Sequence, residues 1–309
     1  QDAAQRLRAR RKAEGSLDFD LTEPELIYRE GDLQAVVAFE AHEAHHIIEE
    51  FMVAANEAVA RYLSSRGVPL VFRVHPRPAL EDLGQLRRLL GAFGFSLPEP
   101  QNILSRDLQN ILEKARGRPE EKFLMLQVLK SLRLAAYSEE NRGHYGLART
   151  HYTHFTSPIR RYPDLIVHRI LKNTLGLDGG DVPDLASLSR HCSLRERAAE
   201  EAERDLVEWR IYRFLKRRCG EDFDGIIVDI NRAGLVVELD GYFVDGLVAF
   251  SDLGGDYFFR ESERRLVGRR SGRSFELGTR VRVSIASVDP LLRRMRFLLA
   301  EPAERKRPS

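Results

Sequence analysis

The chain has 309 residues, 43% of them hydrophobic and 31% charged, and a net charge of +2. That length accommodates one large domain and one small one, and that balance fits a soluble globular protein. It excludes a whole-molecule field that would attract nucleic acid, so any basic surface must be local. Cys192 and Cys219 are the only cysteines and sit in no metal-type cluster, which points to a reduced, cytoplasmic protein. No apolar run approaches about 18 residues, so no membrane span is expected. The opening residues have no signal-like pattern and read as a chain entered in mid-domain.

Residues 1–14 carry Arg6, Arg8, Arg10, Arg11 and Lys12 and predict a helix with a solvated basic face, ended by Gly15. A strand is expected from Ser16 to Asp20 and a second from Leu33 to Phe39, with Gly31-Asp32 turning between them. His42 to Ser64 predicts a long helix whose apolar face is Ile47, Ile48, Phe51, Met52, Ala55, Val59 and Tyr62. His42, His45 and His46 lack nearby partner ligands and read as packed or solvated histidines. Phe72 to His75 predicts a short strand before a proline-bounded loop. Helices follow at Leu80–Phe93, Asn102–Arg116 and Glu120–Leu134.

Asn141-Arg142-Gly143-His144-Tyr145-Gly146-Leu147 has glycines on both sides of His144-Tyr145, which suits a tight turn or a close backbone approach. It leads into Tyr152-Thr153-His154-Phe155-Thr156-Ser157-Pro158-Ile159-Arg160-Arg161-Tyr162-Pro163-Asp164-Leu165. Ser157 before Pro158 reads as an N-cap with proline at the first helical position. Pro163 starts a second helix, which stops near Gly176. Asp164 suits the positive end of that helix. Such a bend would hold Arg160 and Arg161 near helix-start N–H groups, where an anion binds. A surface turn with two solvated arginines explains the spacing equally well.

Asp178, Asp181 and Asp184 read as solvated turn carboxylates. Leu194 to Arg217 predicts a charged helix with Ala202, Leu206, Trp209 and Tyr212 on one side. Near Asp222 the period changes from helix to strand. Alternation around Ile226, Leu235, Val281 and Met295, together with Tyr242–Phe250, predicts five strands of a small OB-type barrel. Arg280 and Arg282 face outward on one strand, and Arg294 and Arg296 on another. With Tyr242, Phe243, Tyr257 and Phe258 nearby, this predicts a basic stripe that tracks a single nucleic-acid strand. A merely solvated arginine-rich face is the alternative.

The stretch from Tyr152 to Leu165 resembles the signature of the exoribonuclease II / ribonuclease R (RNB) family at every stated position. Ile48-Glu49-Glu50-Phe51-Met52-Val53-Ala54-Ala55-Asn56, the Gly143–Leu147 run and Ala202-Glu203-Arg204-Asp205 with Trp209 resemble further segments of that family. The residues after Asp222 resemble its S1 domain, although Leu235 stands where S1 domains often carry an aromatic. The implied fold is α+β: a helix-rich C-terminal part of an RNB catalytic domain (1–220), an S1 barrel (221–301) and a loose tail (302–309). The resemblance implies a 3′-to-5′ exoribonuclease acting on single-stranded RNA. Arg160 would be catalytic, Phe19 would stack a base near the 3′ end, and Glu49 would accept from a ribose 2′-hydroxyl. His144, Tyr145, Tyr152, Ser157, Arg161 and Glu203 would complete the RNA contacts, with Tyr242, Phe243, Arg280 and Arg282 on the barrel.

Family members hold Mg²⁺ with four clustered aspartates, and no such grouping occurs here. The resemblance places that segment upstream of Gln1, in an N-terminal part of the same protein that would act as this chain's partner. The 309 residues are therefore expected not to cleave RNA alone, and no oligomer is expected. The rival readings are a non-catalytic RNA-binding protein that has lost its metal site and, less well supported, an S1-bearing translation or scaffold factor.

Overall fold

The computed structural model describes residues 1–19, 24–39, 41–253, 257–260, 264–269 and 274–300. Helices α1 (Asp2–Ala13), α2 (Glu43–Ser64), α3 (Leu80–Ala92), α4 (Ser105–Ala115), α5 (Glu121–Ser131), α6 (Tyr162–Thr174) and α7 (Leu185–Lys216) form the first part. Hairpin β1 (Pro24–Arg29)–β2 (Asp32–Ala38) and the pair β3 (Phe72–Val74)–β4 (Ala136–Ser138) lie among them. Among the described residues no helix is long and apolar enough to cross a membrane.

Two cores hold the molecule. One joins Ala60 and Leu63 of α2, Phe72 and Val74 of β3, Ile166, Val167 and Ile170 of α6, and Leu188 of α7. The other runs from α3–α5 through Ile211, Tyr212 and Leu215 of α7 into the barrel. α7 thus has buried residues at both ends, while its middle is exposed. A helix that is polar all round over part of its length suits such a bridge. It begins at Leu185, well before the expected Leu194, because the Asp184 side chain accepts from Ser187 N at 2.8 Å and caps it. Asp184 is therefore a helix cap and not a free turn carboxylate.

The barrel closes in the order β11 (Arg280–Asp289), β12 (Arg294–Leu299), β7 (Asp245–Ala249), β6 (Gly234–Leu239), β5 (Asp222–Asn231). Leu235, Val237, Leu239, Val248, Val283, Ile285 and Phe297 fill its interior. The alternation that predicted the strands fills the core except at the start of β5, where Phe223 and Ile227 point inward in place of Ile226 and a register shift between Ile227 and Asp229 restores Ile230 to the interior. Leu235 is one of those core residues. A small sheet of β8 (Tyr257–Arg260), β9 (Arg265–Gly268) and β10 (Ser274–Phe275) was not expected. The tail 302–309 lies outside the described residues.

Three expectations need correction in the first sixty-five residues. Residues 16–19 form no strand. Leu17 N donates to Gly146 O (2.7 Å) and Asp18 N to Gln109 Oε1 (2.9 Å), so their backbone donors are used elsewhere. Asp20 lies outside the described residues. Strand β1 begins later and turns through Glu30 and Gly31, both at positive φ (54° and 86°), as a tight hairpin requires.

α1 is not simply a solvated basic helix. Arg11 is 4% exposed and donates to Glu50, also 4% exposed, at 2.6 Å, and to Ser16 Oγ at 3.1 Å. α1 packs on α2 where Glu50 is buried against Arg11. Asn56, Ala60 and Leu63 are buried against other elements, and Ile48 and Phe51 of the expected apolar face are left exposed. A buried charge deprived of its partner costs about 3–5 kcal/mol. Glu50→Ala should lose stability in that range in urea melts. A loss below about 1 kcal/mol would show that Arg11 is solvated after all.

Candidate RNA-binding and catalytic site

The site is built outward from Asp164, which is completely buried. Its Oδ1 accepts from Ser157 N (2.9 Å) and Arg161 Nη2 (2.8 Å), and its Oδ2 from Arg161 Nε (3.0 Å). Arg160 N and Arg161 N both donate to Ser157 O, at 3.3 and 3.0 Å. Residues 158–160 therefore make one turn and not the expected first helix. The Ser157 N–H is held by Asp164, and the chain starts α6 afresh at Tyr162-Pro163.

This clamp separates the two arginines. Arg161 is half-buried and committed to Asp164, so it is not free for an anion as expected. Arg160 is exposed and its side chain makes no hydrogen bond or ion pair among the described residues. Ile159 beside it is fully exposed. The preceding segment is pinned to α2: Asn56 Oδ1 accepts from Phe155 N (2.9 Å) and Asn56 Nδ2 donates to Tyr152 Oη (3.1 Å). Thr153 Oγ1 donates to Val71 O at 2.6 Å.

Two clefts meet at Glu49. One, of about 520 Å³, is lined by His45, Ile48, Glu49, Met52, Tyr152, His154 and Arg161. The other, of about 700 Å³, is lined by Phe19, Glu49, Arg8, Lys12, His46 and Arg116. Phe19, Glu49, Tyr152 and Arg161 are thus brought together, and Arg160 is on the turn next to them. Glu49 is exposed, whereas Glu50 is turned inward to Arg11. Arg8, Lys12 and Arg116 are cleft residues that the sequence reading passed over. The first two were submerged in a helix whose charge looked uniformly solvated.

His144 and Tyr145 line a third cleft of about 370 Å³ with His75, Arg77 and Arg106. It lies behind an aromatic wall: His144 meets Tyr152 edge-on at 5.3 Å and His75 at 5.1 Å. His144 Nδ1 accepts from Leu147 N (3.1 Å), and His154 Nδ1 pairs with Tyr137 Oη (3.0 Å). Burial, with His75 nearby, pushes His144 down to about 3. Burial, with Arg161 and Arg73 nearby, pushes His154 down to about 2. Burial raises the Tyr152 phenol. The wall is neutral at physiological pH.

Its neutrality has a measurable consequence. Both imidazoles are neutral in the folded state but titrate near pH 6.5 in the unfolded chain. Below that pH the unfolded chain binds protons that the native one refuses. The stabilisation is complete above pH 6.5 and is lost as pH falls towards the folded values, with a slope approaching about 2.7 kcal/mol per pH unit for two groups. Urea midpoints should fall between pH 7 and pH 5, and unchanged midpoints would contradict the buried-neutral assignment.

The remaining predicted residues do not join this site. Glu203 is on the exposed middle of α7 and its side chain makes no hydrogen bond or ion pair among the described residues. Tyr242 packs between Phe214 and Phe223, and its hydroxyl is taken by Arg218. Phe243 is half-buried at φ 56°, an uncommon backbone conformation for its type. Arg280 and Arg282 face outward as expected, but they pair with Asp240 (2.7 Å) and Asp222 (3.6 Å). Arg296 pairs with Asp252 at 2.8 Å. The expected basic stripe is interleaved with acids. These exposed pairs are weak enough to exchange for other partners.

Among the described residues no group of three or more His, Cys, Asp or Glu could hold a metal ion. Asp164 is consumed by its clamp, and Asp18 is bound by Lys12 (2.5 Å) and Arg8 (3.2 Å). This donor set does not by itself fit Mg²⁺.

Residues 1–176 match the RNB domain and residues 216–299 the S1 RNA binding domain. The chain belongs to the RNB family. It is 42% identical over 297 residues to ribonuclease R of Aquifex aeolicus, covering 94% of this chain and 42% of that protein. It is 36% identical over 304 residues to ribonuclease R of Escherichia coli, covering 94% and 37%. Mycoplasma genitalium RNase R superimposes with a TM-score of 0.81 at 26% identity in its apo form, covering 96% of this chain and 48% of that one. Its complex with ribose-methylated single-stranded RNA gives 0.81 at 25% identity and the same coverage. The chain thus spans less than half the length of these relatives.

Proposed function

We propose that the chain is the RNA-holding part of a 3′-to-5′ exoribonuclease that hydrolyses single-stranded RNA processively to nucleoside 5′-monophosphates in the cytoplasm. The observation that carries this reading is the meeting of Phe19, Glu49 and Tyr152 at adjoining clefts, beside a clamped turn that presents Arg160. Phe19 offers a ring to a terminal base. Glu49 offers an exposed carboxylate to a 2′-hydroxyl. The Arg160 guanidinium, free of protein partners among the described residues, polarises the phosphate and stabilises its developing charge. Ser157 and Arg161 act by positioning that turn, and His144, with Tyr145 beside it, backs Tyr152. The RNA-bound form of the Mycoplasma relative supports RNA as the ligand.

Residues 1–220 then form part of the catalytic domain and residues 221–301 an S1 domain. Tyr242, Phe243, Arg280, Arg282 and Glu203 serve the strand away from the cleft. Mg²⁺, which activates water in such hydrolysis, is held mainly by residues of the parent protein outside these 309. That remaining part is the chain's partner, no oligomer is needed, and the 309 residues alone bind RNA without cleaving it.

Titrating fluorescent RNA and DNA of one sequence tests the ribose reading. The chain should prefer RNA, and Glu49→Ala should reduce that preference about tenfold, the worth of a charge-assisted hydrogen bond, while the closer Glu50 keeps Arg11 paired. An RNA-to-DNA ratio that Glu49→Ala leaves intact would remove Glu49 from the ribose site. A second reading, a non-catalytic RNA-binding protein, rests on the absence of a metal-holding carboxylate set among the described residues. Arg160-dependent release of mononucleotides by the parent protein separates the two.

A further inference from the structure

We infer that the same RNA strand has a second binding site, where hairpin β1–β2 crosses the last turns of α7, with Trp209, Arg213 and Arg217 as its contacts. This rests on the reading of the chain as an RNA-holding unit, and it adds a place on the strand's path that the barrel arginines do not supply. Arg210 and Arg213 of α7 and Arg217 at its C-cap are three and four residues apart and so share one face. With Tyr28, Trp209 and the Gly31–Leu33 turn they line a cleft of about 180 Å³.

Several arginines of the C-terminal part are paired with carboxylates, although Arg294 is exposed and unpaired among the described residues. Arg218 is paired with Glu221, Arg265 with Glu276, Arg280 with Asp240, Arg293 with Asp205 and Arg296 with Asp252. Arg213 and Arg217, both exposed, have no carboxylate partner among the described residues. No ion pair among the described residues neutralises them, although Asp32 lines the same cleft, in a protein whose net charge is close to neutral.

The aromatic groups identify the ligand. The Arg213 guanidinium lies over the Trp209 ring at 5.3 Å, and that of Arg210 over Tyr28 at 5.2 Å, with Arg210 Nη1 donating to Tyr28 Oη at 2.9 Å. Guanidinium planes held on rings offer stacking faces to bases and N–H edges to phosphates. Uncompensated charge next to stacking planes is the combination that a nucleotide uses. An acidic peptide would use the charge alone. α7 runs from the core that holds α6, where Leu188 is buried, to the barrel, so it links the element that follows the Arg160 turn to the C-terminal part.

Trp209 is the single tryptophan of the chain, so its emission reports this site directly. Titrating the 309-residue chain with a single-stranded RNA oligomer longer than the cleft should quench Trp209 saturably, in parallel with the fluorescence anisotropy of the labelled RNA. Arg213→Glu/Arg217→Glu should weaken binding about tenfold and lower the slope of log K against log salt by about 1.4, the share of two phosphates on a single strand. Both side chains are exposed, so the melting curve should be unchanged. Arg213→Lys/Arg217→Lys should restore the salt slope. If the oligomer binds while Trp209 emission and the salt slope of the Glu variant stay as in the parent, this site is wrong and the Arg160–Glu49 reading stands. If the parent chain binds no RNA, both fall.

Discussion

On the proposed exoribonuclease function, replacing Arg160 with lysine in the parent protein will lower turnover about 100-fold or more, while the Kd for single-stranded RNA moves by less than about threefold. The side chain is exposed and unpaired among the described residues, so its removal leaves no buried group without a partner. The clamp of Asp164 on Ser157 N and Arg161 fixes the turn that carries it. Lysine keeps the charge that attracts RNA but loses the planar fork that meets two phosphate oxygens together. The effect therefore falls on the step in which charge develops. Single-turnover rates and equilibrium binding, measured side by side, check this. Equal losses in both would make Arg160 an ordinary electrostatic contact.

Asp164→Ala will cost about 3–5 kcal/mol and abolish cleft binding in the fraction that still folds. It removes the carboxylate that accepts from Ser157 N and from two Arg161 nitrogens, leaving a half-buried guanidinium and a backbone N–H without partners. Arg161→Ala alone leaves the fully buried carboxylate unpaired and belongs in the same range. Asp164→Ala/Arg161→Ala should cost less than the sum of the two single changes, because they share one interaction. Urea melts of the three variants measure this. Strict additivity would mean that the pair does not hold the turn.

The parts of the fold that were legible are those where local periodicity and tertiary burial agree. α2 and α6 carry helical spacing and end near Ser65 and Gly176, and the barrel strands alternate apart from bulges in β5 and β11. Legibility failed where a long-range partner decided the outcome. Leu17 and Asp18 look like a strand, but their N–H groups bond to Gly146 and Gln109. Arg11 sits in a run of exposed arginines, and only Glu50, far along the chain, draws it inside. Ser157-Pro158 has the grammar of a helix start, but Asp164 takes the N–H that a helix would have left free. At the site, motif resemblance brought out Phe19, Glu49, Tyr152 and Arg160, which the structure gathers. It also brought out Glu203, Arg280 and Arg282, which the structure leaves apart or pairs with acids. Charge on a strand face can be read from alternation, but the acids on the neighbouring strands that neutralise it cannot.

The central claim is that the clefts meeting at Glu49 take the 3′ end of a single strand. Photo-crosslinking tests this with the 309-residue chain itself and does not depend on hydrolysis. A single-stranded RNA bearing a photoreactive uridine at its 3′ terminus should crosslink to peptides containing Phe19 or Tyr152. The same RNA with the photoreactive base at its 5′ terminus should not. Crosslinking of the 5′ terminus to those peptides, or of the 3′ terminus to the barrel alone, would contradict the account.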